Sequence, residues 1–113
     1  MIAFLMINPI IGSAQDKPKK TETVTFFVNG DCDMCADRIE AACDLKGVIA
    51  AEYVLDTYTL TLTYKPSKIS LDKIHDAIAA AGYDTSERKA SQESYDALPG
   101  CCQYDRTRQP KGK

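Results

Sequence analysis

An α+β fold with the element order strand, helix, strand, strand, helix, strand is predicted by three features of the chain. Residues 48–64 carry a period-two hairpin, and segments of helical spacing flank it at residues 34–45 and 71–81. The length of 113 residues suits one domain with a modest core.

The first strand covers residues 23–28, where Val24, Phe26 and Val28 alternate onto one face. In the helix predicted over residues 34–45, Ala36, Ile39, Ala42 and Cys43 share a stripe, opposite Asp37, Arg38, Glu40 and Asp44. Gly47 is positioned to stop it. Residues 48–55 read as a second strand, Asp56 and Thr57 as a tight turn, and residues 58–64 as a third strand. In that third strand Tyr58, Leu60, Leu62 and Tyr64 oppose Thr59, Thr61 and Thr63. Ser70 can cap a helix over residues 71–81, whose buried stripe is Leu71, Ile74, Ile78 and Ala81 and which Gly82 ends. A weaker fourth strand is expected from Tyr83 to about Lys89. The order is the ferredoxin-like βαββαβ sandwich, an antiparallel four-stranded sheet with two helices on one face.

The flanks differ in composition. Residues 1–14, MIAFLMINPIIGSA, are apolar from Ile2 to Ile11 apart from Asn8 and Pro9 and end in small residues, which predicts a signal peptide and export to the periplasm of a Gram-negative bacterium. The segment lacks a basic start and is shorter than the roughly 20 apolar residues of a membrane span, so no stable span is expected after cleavage. Residues 15–21 form a polar tether, in which Lys17, Lys19 and Lys20 read as solvated charges, and residues 22–89 the domain. Residues 90–113 form a cysteine-containing C-terminal extension, running from ordered to flexible, with no sustained period. Sixteen acidic and fourteen basic residues give a net charge of -2 without a basic stripe, which excludes nucleic acid as a partner.

The chemistry lies in Cys32-Asp33-Met34-Cys35, two thiols three positions apart where a strand gives way to a helix. The helix N-terminus favours thiolate, and soft thiolates select Cu(I), Zn(II) or similar ions. Two sulfurs suit a low-coordinate soft ion better than zinc, which takes four ligands. The same pair also fits a structural disulfide or a thiol-disulfide oxidoreductase, although a redox enzyme of the thioredoxin kind needs more strands and helices than this chain holds. No supported nucleophile, paired carboxylates or phosphate loop appears, so no enzyme activity is expected.

The segment from Thr23 to about Ser86 resembles the heavy-metal-associated domain family of copper chaperones, metal-exporting ATPase modules and periplasmic mercury-binding proteins. The resemblance rests on Cys32-x-x-Cys35, Arg38-Ile39-Glu40, Gly47-Val48 and Ala80-Ala81-Gly82-Tyr83-Asp84. It implies that Cys32 and Cys35 bind metal, that Tyr83 shields the site, and that the partner is a metal-transporting ATPase or another metal-binding protein. Cu(I) is ranked first, ahead of Zn(II) and Hg(II). Asp31 and Met34 are expected to line the site with Tyr83. The family's Met, which packs under the metal loop, is replaced here by Gly30.

The extension's Leu98-Pro99-Gly100-Cys101-Cys102-Gln103-Tyr104 lies outside the minimal domain and resembles the tail of exported single-domain members of the family. Adjacent cysteines in an extended chain point to opposite sides, so one of Cys101 and Cys102 could fold back as a third ligand; a disulfide is the alternative. Cys43 falls on the buried stripe and reads as a small core residue, and His75 as a partly exposed helix residue. Besides metal transfer or buffering and thiol-disulfide exchange, a metal-sensing structural module remains in view.

Overall fold

Alternation in β1 (Glu22–Phe27), β2 (Val48–Val54) and β3 (Thr59–Tyr64) builds a three-stranded antiparallel sheet of order β1-β3-β2. The structure is a computed structural model that describes residues 20–108. The predicted signal peptide, and the tether apart from its last two residues, lie outside them. Register pairs Val24 with Leu62 and Phe26 with Leu60, and on β3's other edge pairs Tyr53 with Leu60, so one face is apolar. The opposite face carries threonine pairs, Thr23 with Thr63 at 3.0 Å and Thr25 with Thr61 at 3.1 Å between hydroxyls.

Two helices cover the apolar face. α1 (Asp33–Ala42) buries Cys35 and Ile39, and α2 (Leu71–Ala80) buries Ile74, His75, Ile78 and Ala79. Ser70 caps α2 as expected, its hydroxyl accepting the Lys73 N–H at 3.2 Å. Gly82 closes α2 in the left-handed region at φ 108°, with the paired bonds of a Schellman turn: its N–H reaches Ala79 O at 2.9 Å and that of Tyr83 reaches Ile78 O at 3.2 Å. Gly47 does not stop α1, which ends at Ala42; it belongs to the turn entering β2. Nor does Tyr58 belong to β3: it turns the hairpin at φ 56°, so the connection is longer than a two-residue turn.

The expected fourth strand is reduced to one antiparallel bridge between Val28 and Thr85. The physical cause is Thr85, whose hydroxyl accepts the N–H groups of Glu87 at 3.1 Å and Arg88 at 3.0 Å and folds the chain into a turn before a ladder can extend. His75 corrects another expectation. It is buried against the Phe26 ring, with centroids 4.3 Å apart, and its Nδ1 shares a 2.7 Å hydrogen bond with the Thr85 hydroxyl.

The extension is packed into the core, not appended to it. Past α3 (Gln92–Asp96) the chain makes a 3-10 turn at Gly100–Cys102, and Leu98 before it, Cys102 in it and Tyr104 after it join the same buried cluster as Ile39, Leu60 and Ile78. The Tyr104 hydroxyl donates to Gly82 O at 2.7 Å and accepts the Asp84 N–H at 2.9 Å. Arg106 clamps the buried Asp84 carboxylate with contacts of 2.6 and 3.1 Å. Among the described residues no helix is long and apolar enough to cross a membrane.

Two predictions follow from this packing. Tyr104→Phe strands a buried N–H and a buried carbonyl, so urea unfolding should show a loss of about 1–3 kcal/mol; an unchanged midpoint would mean the extension is not docked. Cys43, buried at the end of α1, tests the core by pH. Burial, and then Glu40, push its thiol from 9.0 up to about 12. A raised thiol value leaves stability intact below the unfolded value and removes it as pH rises towards the folded one, because only the unfolded chain ionises in between. Wild-type stability should therefore fall more steeply with pH above about 9 than that of Cys43→Ala, and parallel pH profiles would refute the assignment.

Candidate metal centre

Position on α1 gives Cys32 its character. It is the N-cap residue, with extended backbone, where a serine or aspartate side chain would accept the N–H groups of the first turn. Its sulfur makes no capping bond of ordinary geometry, but the Cys35 N–H acts on it most strongly and lowers its pKa, with burial opposing. The Cys35 thiol, the Met34 N–H and the Cys102 thiol add to the lowering. A thiolate formed at Cys32 would stand where an anionic cap stands, at the positive end of the helix. One turn on, Cys35 is fully buried. The two sulfurs are 3.6 Å apart and not joined in a disulfide.

The loop before α1 is supported from below by another element. A Cβ on Gly30 would stand 2.9 Å from the Tyr53 hydroxyl and 3.1 Å from Ile39 Cδ1. Tyr53, donating its hydroxyl to Val28 O at 2.5 Å, occupies the space beneath the loop. The Tyr53 ring from β2 therefore leaves no room for a side chain at position 30. Glu40 fixes β2 in turn, its carboxylate accepting the Tyr53 N–H at 2.8 Å.

The structure brings Cys102 to this pair and leaves Cys101 outside. Sulfurs of Cys32, Cys35 and Cys102 all lie within 4.8 Å of one another, with Cys32 and Cys102 4.0 Å apart. Cys102 is fully buried, and burial first, then Cys35, push its thiol up to about 12. Cys101 is exposed, its thiol 4.0 Å from the Met34 thioether, and its carbonyl accepts the Cys32 thiol at 3.4 Å. The divergence of the two cysteines arises in a 3-10 turn and not in the extended chain expected.

Of the predicted lining residues, Tyr83 is the one built into the site. It is fully buried, its hydroxyl has no hydrogen-bond partner, and the Cys35 and Cys102 thiols beside it reinforce the upward push that burial gives its pKa. Met34 is half exposed above the pair, and Asp31 points to Arg108 at 3.6 Å. Arg108 was not legible in the sequence, nor was Asn29. Arg108 donates to Gly30 O at 2.6 Å and to Asn29 Oδ1 at 3.1 Å, while buried Asn29 donates to Asp105 O at 2.9 Å, tying the metal loop to the extension. No periodicity marks these contacts, which join residues over seventy positions apart.

Known proteins resemble the domain that carries Cys32 and Cys35. The profile of the heavy-metal-associated domain matches residues 25–84. A zinc-transporting ATPase of Synechocystis sp. is 40% identical over 79 residues, a match covering 68% of this chain and only 11% of the ATPase. The copper chaperone CopZ of Staphylococcus haemolyticus is 35% identical over 54 residues, covering 47% of this chain and 79% of the chaperone. The crystal structure of oxidized MerP from Ralstonia metallidurans CH34 superposes with a TM-score of 0.56 at 32% identity, covering 58% of this chain and 94% of MerP. The match takes in Cys32, Cys35 and Tyr83, and these relatives are metal-handling proteins: the chain belongs to the heavy-metal-associated domain family.

Proposed function

We propose that the chain is a copper-handling carrier that captures Cu(I) with Cys32 and Cys35 and buffers it or passes it to another metal-binding protein. The observation that carries this reading is the 3.6 Å sulfur pair at a helix N-terminus, one thiol drawn towards thiolate by first-turn N–H groups. A site of sulfur alone suits a soft monovalent ion, and among the described residues the only metal-competent group brings no imidazole or carboxylate to complete the four ligands zinc prefers. The identity to a copper chaperone supports copper, and the identity to part of a zinc-transporting ATPase keeps Zn(II) as the competing cargo. A P-type ATPase domain of the same family is the natural class of recipient. The apolar stretch of residues 1–14 supports export and a periplasmic place of work.

Transfer in this reading is ligand exchange. An incoming thiol loses its proton as its sulfur bonds to the ion, a departing cysteine takes a proton up, and copper stays Cu(I) throughout. No bond in the protein is made or broken by oxidation. The same close thiol pair is compatible with disulfide exchange, so the redox potential of Cys32 and Cys35 is the control.

The test is anaerobic titration of the reduced protein with Cu(I), and separately Zn(II), against a competing chelator. One tightly bound Cu(I) per chain, lost in Cys32→Ser/Cys35→Ser, is the expected result. Absence of tight Cu(I) binding, or tighter selective binding of Zn(II), would sink the copper assignment.

A further inference from the structure

We infer that Cys102 is the third sulfur of the metal centre, so that the C-terminal extension supplies a ligand and holds the ion in place. This rests on the soft-metal reading of Cys32 and Cys35 and adds a coordination number and a barrier to release.

Sulfur geometry is the first argument. With metal–sulfur bonds of roughly 2.3 Å, two sulfurs in linear coordination stand about 4.6 Å apart, whereas three in a trigonal plane stand about 4.0 Å apart. Cys32 lies 3.6 Å from Cys35 and 4.0 Å from Cys102, and all three sulfurs fall within 4.8 Å. The first pair is closer than a linear bridge would set it, and the Cys32–Cys102 separation matches the trigonal value.

Second, Cys102 is placed by contacts on both sides. Leu98, four residues before it, packs so closely over Gly82 that a Cβ there would stand 2.9 Å from its side chain. Tyr104, two residues after it, is bonded to Gly82 O and the Asp84 N–H. A ligand held this way reaches the ion without ordering a loose tail at the moment of binding.

Tyr83 faces the same sulfurs. Its hydroxyl is the one buried side-chain polar atom without a partner among the described residues, and it stands beside Cys35 and Cys102. Buried hydroxyls are rarely left unpaired, and metal-bound thiolates are acceptors that would take its proton as a hydrogen bond. Thiols are weak acceptors for that hydroxyl, and metal-bound thiolates at Cys35 and Cys102 would be strong ones.

The consequence is kinetic. A two-sulfur carrier leaves a coordination position open to a recipient's thiolate. Here Cys102 fills it, so the recipient's sulfur–copper bond forms as the Cys102–copper bond breaks, with Cys102 taking up the proton that the entering thiol gives up. The protein is thereby biased towards retention.

Copper K-edge X-ray absorption on the reduced full chain with one Cu(I) equivalent tests this directly, without a variant. Three sulfurs per copper are expected in wild type, and two in both Cys102→Ser and Cys102→Ala, with Cu(I) passing to a thiol chelator about tenfold faster from these variants. Two sulfurs in wild type, or three retained in both variants, would overturn the assignment of Cys102 while leaving the Cys32–Cys35 reading intact. Wild-type affinity in Cys32→Ser/Cys35→Ser would overturn both.

Discussion

A single phenol holds the metal face together. The Tyr104 hydroxyl bonds to the backbone of Gly82 and of Asp84, the residues on either side of Tyr83, and thereby fixes Tyr83 against the thiols. The Tyr104 ring meets Tyr83 in a stack at 5.7 Å and Tyr95 edge-on at 5.0 Å, while Tyr95 donates its own hydroxyl to Tyr104 O at 2.6 Å. The Tyr104 and Tyr95 hydroxyls are paired within this set, and the Tyr83 hydroxyl, turned towards the thiols, is the buried polar atom left over. The aromatic contacts add about 0.5–1.5 kcal/mol each beyond burial, and the hydrogen bonds a similar net amount, but the larger effect is the cost of breaking one side.

Charge reinforces the same junction unequally. Arg88 reaches Asp76 at 2.6 Å and Asp72 at 3.6 Å, yet these carboxylates are 63% and 84% exposed, so solvent screens both pairs and they add little. Arg106 faces a different carboxylate, that of Asp84, which is only 4% exposed and also accepts the Ala90 N–H at 2.8 Å. Losing Arg106 would leave that charge buried with too few partners, a cost on the order of 3–5 kcal/mol. The extension is therefore pinned where its contacts are buried, beside the metal face, and not along the solvent side of α2.

The sequence made the domain legible where one period controls burial. Leu60, Leu62 and Tyr64 are buried as their alternation requires, and Ile74 and Ile78 as helical spacing requires. It misled where a side chain overrides the period. Thr85 reads as a strand residue, yet its hydroxyl captures the following N–H groups and ends the pairing; the same hydroxyl gives His75 the partner that lets a polar residue be buried. The cysteine pair was legible from its spacing, but not the support beneath it, because Tyr53 is over twenty residues from the loop it fills and nothing local in the sequence joins them. The docking of the extension was illegible for the same reason: its anchors Leu98, Cys102, Tyr104 and Arg106 follow no repeat, and each meets a partner far along the chain.

The two sources of sulfur have different energetic standing. Cys32 and Cys35 sit on α1, whose Ile39 and Cys43 are embedded in the central core, so their spacing is set by the body of the domain. Cys102 sits on a short turn whose position depends on the tyrosine cluster and on Arg106 and Arg108 gripping Asp84 and Gly30. The extension has no strand partner and is held by side-chain anchors, so its opening is set by the tyrosine cluster and by the Arg106 and Arg108 contacts. On the three-sulfur proposal, an ion bound by both segments binds the docked state more tightly than the lifted one, which keeps only Cys32 and Cys35, and tightens the extension by the ratio of those two affinities. Retention and release then become the same equilibrium seen from two sides: the ion holds the extension down, and whatever loosens the tyrosine cluster frees the ion.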